Sequence, residues 1–447
     1  MDWLLSKINN YDRKIFCVYK DATFSYAWLL QRVNLFESMI NNYDDKSVFS
    51  IQSGYTPDSI AMLIALAKKR KLIVPIISDV ADEIKEKLSM SQCEMIIKFK
   101  NEDPVYELVG MEQSSNILYE QIQAKGHSGL VLFSSGSTGD PKAIVQDLDI
   151  LTETFRSRKP RNLKFLVFLL FDHIGGLNTL FNALSMGATV IIPDDREPDY
   201  IGSLIEKHEI TLLPTSPTFL NLMLISETYK NYDLSSLKLI TYGTEPMPES
   251  LLRRLRKVFP RVRFLQTYGT TETGIATTSS KSSDSLYMKI EDPHIQWKVV
   301  DGELWLKSDA QMLGYINYND PFVDDGWFPT GDIVEVIEDS YIKIVGRENE
   351  IINVGGQKVF PAEVENVILE LDVVLDAVVY GEDNPITGQI VTAEIILMND
   401  VDKDDLVKRI KFHCKDRLEK YKRPIKFKIV DRLYYGTRFK KKRSYGG

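Results

Sequence analysis

The chain has 447 residues, of which 44% are hydrophobic and 26% charged, with a formal net charge of −8. That length allows two or more domains with sizeable cores, and the composition is that of a globular protein rather than a fibrous or low-complexity one. The acidic balance argues against a general nucleic-acid binder, and no apolar run reaches the roughly 18 residues of a membrane span.

Residues 1–125 read as mixed helix and strand, and the opening MDWLLSKINNYDRK lacks the basic and apolar regions of a signal peptide. Within this part, SIAMLIALAKKRKLIVPII (59–77) predicts an apolar-faced helix followed by a buried strand. LVLF (130–133) predicts a short strand and KFLVFLLF (164–171) a longer one. A helix over 177–187 and a strand over 188–194 come next. The alternation continues with helices at 203–209, 218–226 and 249–259, and strands at 211–214, 237–245 and 262 onward. Strands alternating with helices at this spacing predict α/β layers with mostly parallel strands. From about 296 to 346 the pattern changes to short alternating segments, IQWKVV, GELWLKS, DIVEVIED and YIKIVG, which predict an antiparallel β-rich module. After it comes a smaller α/β segment of independent-domain size. No internal repeat interrupts this order.

Cys17, Cys93 and Cys414 are isolated, with no C-x-x-C pair, so a reducing, cytoplasmic compartment fits. The five histidines have no metal-ligand spacing. From Lys408 to Arg443 there are sixteen Lys or Arg against three Asp or Glu, so the C-terminal end is a basic patch on an acidic chain. Such a patch is either a solvated helix face and tail or a contact for a phosphorylated ligand or an acidic partner.

One stretch stands out. LVLFSSGSTGDPKAIVQD (130–147) places Ser134, Ser135, Gly136, Ser137, Thr138 and Gly139 directly after an apolar strand and adds Pro141 and Lys142. It reads either as a flexible surface loop or as a phosphate cradle of backbone N–H groups, hydroxyls and one cation. It does not fit G-x-x-x-x-G-K-[ST]. Two other loops with unusual chemistry, 243–245 and 268–274, also follow strands. Ligands in α/β folds sit at the carboxyl ends of strands, so the coincidence favours the cradle.

Taken together, these stretches resemble the adenylate-forming superfamily of acyl-CoA synthetases, luciferases and peptide-synthetase adenylation domains. The resemblance runs from about residue 130 to the end, through motifs in the family's order. SSGSTGDPK (134–142) is similar to its phosphate loop, LLFDHIGGLNTL (169–180) to its acyl-gate motif and YGTTE (268–272) to its Y-G-x-T-E. TGD (330–332) and GRENEIINVGGQKVFPAEVE (346–365) follow in turn. The implied fold is α/β, a large N-terminal domain of layered, mostly parallel sheets (1–348, with the β-rich module at 296–346) and a small mobile α+β domain (349–447). The implied reaction has two steps. A carboxylate attacks the α-phosphate of ATP and releases pyrophosphate; a thiol, coenzyme A or the phosphopantetheine of a carrier protein, then takes the acyl group.

The resemblance also implies roles for single residues. Ser134 to Gly139 with Lys142 would hold the β- and γ-phosphates. Gly243, Thr244 and Glu245 would line the adenine and acyl sites, with Tyr268 over the adenine and Gly269, Thr270 and Thr271 beside the nucleotide. Glu272 would be the Mg²⁺ ligand, Asp332 the ribose-hydroxyl acceptor and Arg347 its neighbour. His173 would gate the acyl site; read instead with the amino-acid-activating branch, Asp172 would seat a substrate ammonium. Lys440, followed by Arg443, fits the family's active-site lysine, with Lys441 and Lys442 as alternatives and Phe439 where the family has Gly. Asn349 stands at the family's hinge, usually Asp or Lys, and Gly355 with Gly356 would line the thiol tunnel. The portion ahead of the phosphate loop is shorter than is usual in the family. It leaves monomer and homodimer both open, and substrate size with them. Expected partners are a small carboxylic acid and, for one branch, an acyl-carrier protein, with no nucleic acid and no membrane. A homologue that keeps the nucleotide site and loses catalysis is the reading from a different class.

Overall fold

A computed structural model of the chain describes residues 1–100, 103–109, 116–135, 141–398, 403–431, 433 and 436. Two seven-stranded sheets make up most of the first 316 residues. One runs, edge to edge, Arg263–Gln266, Leu239–Tyr242, Leu212–Thr215, Lys164–Leu166, Thr189–Ile192, Ile15–Tyr19 and Ala22–Ser25. All its pairings are parallel except the last hairpin. The other runs Gly314–Tyr315, Pro141–Asp147, Gly129–Ser135, Leu72–Ile76, Val48–Gln52, Met95–Lys100 and Asp103–Leu108, with a parallel centre and antiparallel edges.

Burial explains this layering. The helix Pro57–Lys68 buries every residue from Pro57 to Ala67, so its sequence reads apolar all round. Its start is fixed by a reciprocal capping box between Thr56 and Ser59. It shares one core with the helices Tyr26–Ile40 and Ile174–Met186 and with strands of both sheets. A second core covers the far face of the first sheet with the helices Pro198–His208, Pro217–Ile225 and Glu249–Val258. Strands buried on both faces read as continuous Val/Ile/Leu runs, as LLPT and TVII do.

KFLVFLLF forms a strand only over Lys164–Leu166. Val167, Phe168 and Phe171 are nevertheless buried, so the apolar run continues because the core continues. The helix Ile174–Met186 approaches this segment so closely that a Cβ on Gly176 would stand 2.0 Å from the Leu170 carbonyl oxygen.

The β-rich module is a six-stranded antiparallel sheet, Thr278–Ser280, Met288–Ile290, Tyr341–Arg347, Phe328–Ile337, Glu303–Ser308 and Ile295–Val300. It starts before residue 296, because its first two strands have three residues each and carry no readable alternation. A short 3₁₀ turn, Glu348–Glu350, leads into a separate five-stranded sheet with the helices Pro361–Ile368 and Lys403–Arg417. That part has its own core. Among the described residues, no helix is long and apolar enough to cross a membrane.

Candidate active site

The site is assembled where the two large sheets and the β-rich module meet. In the second sheet, Gly129–Ser135 and Pro141–Asp147 pair antiparallel, with Ser134 opposite Lys142 and Ser135 opposite Pro141. The hairpin therefore presents a serine and a lysine at the base of the Gly/Ser loop. Gly136, Ser137, Thr138 and Gly139 lie outside the described residues.

From the other side comes the hairpin of Tyr268–Thr270 and Gly274–Ala276. Its turn is held by Thr270, whose Oγ1 accepts from the Thr273 N–H at 3.1 Å. Thr271 and Glu272 sit at the tip. Gln146 Nε2 donates to the Thr271 carbonyl, and the Met312 N–H donates to the Glu272 carbonyl at 2.7 Å. Tyr315 Oη donates to Glu272 Oε1 at 2.9 Å. The Tyr315 ring also lies 5.2 Å from Lys142 Nζ, and the Tyr318 ring lies at the same distance. Burial, then the nearby Glu272 carboxylate, raises the Tyr315 pKa and keeps the hydroxyl a donor.

The β-rich module supplies the third wall. Asp332 and Arg347 are cross-strand partners in register, which is why two motifs separate in sequence form one corner. Arg347 Nε donates to Asp332 Oδ1 at 3.0 Å, and Tyr268 Oη donates to Asp332 Oδ2 at 2.7 Å. Asp332 is only 5% exposed. Its carboxylate raises the pKa of Arg347 against the effect of burial. Burial, followed by Asp332, raises that of Tyr268. The turn before Asp332 is pinned by Thr330 Oγ1 donating to the Leu304 carbonyl and by the Gly331 N–H donating to Glu303 Oε1, both at 2.7 Å.

Gly243, Thr244 and Glu245 follow the strand Leu239–Tyr242. A Cβ on Gly243 would stand 2.8 Å from Thr267 Oγ1, so this strip packs bare backbone against the chain leading into Tyr268. Thr244 has φ +72°. A β-branched residue in the left-handed region is strained, and such strain persists only where the surroundings impose it. Glu245 Oε1 accepts from the Thr218 N–H at 2.7 Å.

His173 lies at the N-terminus of Ile174–Met186 and its Nδ1 accepts from the Gly175 N–H at 3.1 Å. Neighbouring Asp172 is buried, 7% exposed, and acts electrostatically on Tyr55 and Arg196. Asn349 is exposed in the 3₁₀ turn between the two bodies. Gly355 and Gly356 form the left-handed turn of the hairpin Ile352–Val354 and Gln357–Val359 and are exposed, with no heavy atom within 4 Å of where a Cβ would stand. Lys440, Lys441 and Lys442 lie outside the described residues.

The structure thus joins Lys142, Thr271 and Glu272 at one corner and Tyr268, Asp332 and Arg347 at the next. Tyr315 and Arg196 escape the sequence reading, because neither belongs to a motif of unusual composition. Their importance lies in what they touch. Among the described residues there is no group of three or more His, Cys, Asp or Glu fit to cage a metal. The donor set suits Mg²⁺ all the same, since that ion takes one or two carboxylates and completes its shell with substrate phosphates and water.

This arrangement defines a class. The family of AMP-binding enzymes matches residues 6–316 and the C-terminal domain of AMP-binding enzymes matches residues 363–440, so the chain belongs to the adenylate-forming superfamily. Among individual relatives, it is 30% identical over 345 residues to the 2-succinylbenzoate–CoA ligase of Bacillus subtilis, covering 72% of this chain and 69% of that one. It is 29% identical over 330 residues to the indoleacetate–CoA ligase of Aromatoleum aromaticum, covering 68% and 64%. In fold it is similar to the o-succinylbenzoate CoA synthetase of Bacillus subtilis, solved with its acyl-adenylate intermediate, at TM-score 0.75 and 22% identity over 98% of this chain and 96% of that one.

Proposed function

We propose that the chain is an AMP-forming acid–thiol ligase that activates a small carboxylic acid with ATP and passes the acyl group to coenzyme A. The observation that carries this reading is the convergence of Lys142 and Glu272 on Tyr315 at the base of the Gly/Ser loop. A cation and a hard oxygen donor meet there, which is what a polyphosphate with its counter-ion needs. The names of the relatives support the acid–thiol ligase class.

In the first half-reaction a substrate carboxylate oxygen bonds to the α-phosphorus and the bond to the pyrophosphate oxygen breaks. Catalysis of such a step is mostly alignment and charge neutralisation. Lys142 and the loop from Ser134 to Gly139 hold the phosphates. Glu272 would hold Mg²⁺, which when bound would neutralise phosphate charge. Asp332 keeps lone pairs beyond those used by Tyr268 and Arg347 and accepts the ribose hydroxyls. Tyr268 and the strip Gly243, Thr244, Glu245, with Gly269, Thr270 and Thr271, line the nucleotide. Lys440 takes the family's active-site lysine role toward the reacting phosphate, and His173 borders the acyl pocket.

In the second half-reaction the thiol sulfur bonds to the acyl carbon and AMP leaves. The small body, residues 349–447, turns at Asn349 so that Gly355 and Gly356 face the site. Arg196 beside Asp172 answers that carboxylate's charge and disfavours a substrate ammonium there. Three buried, free cysteines fit a cytoplasmic location. Coenzyme A is the preferred acceptor. A carrier protein is the second reading, supported by Lys408, Arg409, Lys411 and Lys415 around Phe412, which is 67% exposed.

ATP–pyrophosphate exchange over a panel of carboxylic and amino acids tests the first half-reaction, and coenzyme A-dependent AMP release tests the second. Exchange without a coenzyme A effect would favour a carrier protein. ATP binding without exchange for any acid would favour a non-catalytic homologue.

A further inference from the structure

The segment from Met312 to Tyr318 belongs to none of the site motifs, yet it stitches two of them together. The Met312 N–H bonds the Glu272 carbonyl at 2.7 Å. The Leu313 N–H bonds the Val145 carbonyl and the Ile316 N–H the Ala143 carbonyl, so the segment adds an antiparallel edge to the lysine-bearing strand. Asn317 then closes the end. Its Oδ1 accepts from the Ala143 N–H and its Nδ2 donates to the Pro141 carbonyl, each at 2.9 Å. The segment thereby braces the base of the Gly/Ser loop and the tip that carries Glu272.

Tyr315 sits at the middle of this brace. It pairs in register with Ile144, so its ring and Lys142, two residues away, share one face of the sheet. One side chain therefore contacts both charged groups of the phosphate corner, the ring meeting Lys142 and the hydroxyl meeting Glu272. A carboxylate on a hairpin tip otherwise rotates among several rotamers, and a metal ligand in the wrong rotamer binds weakly. Groups behind metal ligands set their orientation and commonly change affinity 10- to 100-fold when removed.

We propose that Tyr315 is a positioning residue for the metal–nucleotide complex. Its hydroxyl fixes the carboxylate that takes Mg²⁺, and its ring seats the phosphate-binding lysine. The two contacts are separable, because Tyr315→Phe removes the first and Tyr315→Leu removes both. The inference rests on the nucleotide reading proposed above.

The test is equilibrium binding of ATP by calorimetry, with Mg²⁺ and with EDTA, on the wild type and both variants, alongside thermal melts. Tyr315→Phe is expected to weaken Mg²⁺–ATP about tenfold, the effect of one hydrogen bond to a charged group, and to leave metal-free ATP within twofold. Tyr315→Leu is expected to weaken metal-free ATP as well, by about threefold, the effect of a modest cation–π contact. Glu272→Gln should abolish most of the Phe variant's additional effect, since the two residues act through one contact. Mg²⁺–ATP bound by Tyr315→Phe as by the wild type would overturn the inference. So would equal weakening of both forms by Tyr315→Phe. A wild type that binds neither form of ATP would overturn the nucleotide reading and this inference together.

Discussion

The corner around Asp332 and the seam between the large body and the C-terminal body are both buried and polar, and they are built in opposite ways. At Asp332 each carboxylate oxygen has a protein donor, from Tyr268 and Arg347. At the seam, hydrogen bonds among the described residues include one from Asn221 Nδ2 to the Leu375 carbonyl at 3.1 Å and one from the Glu249 N–H to Asn366 Oδ1 at 3.0 Å. Around them lies a cavity of about 20 Å³, enough for one or two waters. Thr218 Oγ1, Asn221 Oδ1 and Ser250 Oγ line it without a protein hydrogen-bond partner among the described residues. Arg254 faces it too; burial lowers its pKa, and Asp376 and Asp372 raise it. A fully bonded corner holds one geometry. A seam with spare polar groups exchanges its contacts for water at little cost. On the proposed mechanism, the difference would separate the part of the site that stays still from the part that turns.

The largest expected effect lies on the turning side. Lys440→Ala is expected to lower pyrophosphate exchange by about 10²- to 10³-fold, the usual loss for one preorganised charge donor. ATP affinity and transfer from preformed adenylate should stay within a few-fold. An equal loss in both half-reactions would place that lysine with the fixed corner. Next comes the corner itself. Asp332→Ala leaves the Tyr268 hydroxyl buried without its acceptor, and should cost about 2–3 kcal/mol by chemical denaturation, as hydrogen bonds to charged groups do. It should also raise the KM for ATP; an unchanged denaturation midpoint would mean the corner is not rigid by virtue of these bonds. Arg254→Leu should change stability by less than about 1 kcal/mol, typical for a partly exposed charge. Proteolysis at 348–350 should speed up several-fold as the small body spends more time undocked; unchanged cleavage would show the seam to be held by other contacts. The smallest effect is expected at Phe412→Ser, on the exposed face of Lys403–Arg417. Stability should move by no more than about 0.5 kcal/mol, as for other surface positions, and coenzyme A-dependent turnover should not change. A selective loss with a carrier protein as acceptor would revive the second reading of the thiol.

Much of this molecule is legible in its sequence, for physical reasons. Phosphate chemistry needs glycines, hydroxyls and a lysine close together, so the loop beginning at Ser134 is compositionally odd. A Tyr, a Thr and a Glu on one hairpin are equally visible as YGTTE. The alternation of apolar runs gives the parallel layers, because strands buried on both faces have little choice of residue. What escapes is whatever depends on side chains meeting across the fold. Tyr315 lies in LGYINY, a stretch no different from many edge strands, and its role appears only when that edge is laid against Pro141–Asp147. Asp172 is readable as a substrate seat, but that Arg196 lies within its electrostatic reach appears only in the fold. Gly355 and Gly356 stand in the motif that predicts a tunnel, but a motif does not encode the orientation of the body that carries it.

The interleaving of the two large sheets has a further consequence, for how the chain is made. Residues 15–25 begin one sheet, the chain leaves it to build most of the other, and it returns only at Lys164. Cys17 finds its parallel neighbour Val190 after more than 170 residues of synthesis, and the strand at Pro141–Asp147 waits for Gly314–Tyr315 to cover its edge. Until then a nascent chain on the ribosome exposes an unpaired strand and an apolar helix, Pro57–Lys68, that has only one of its two sheets. Pairings so distant are slow to close and prone to aggregate while open. Neither sheet is complete until a later part of the chain returns to it, so a chain released before Tyr315 has emerged carries a raw edge open to aggregation.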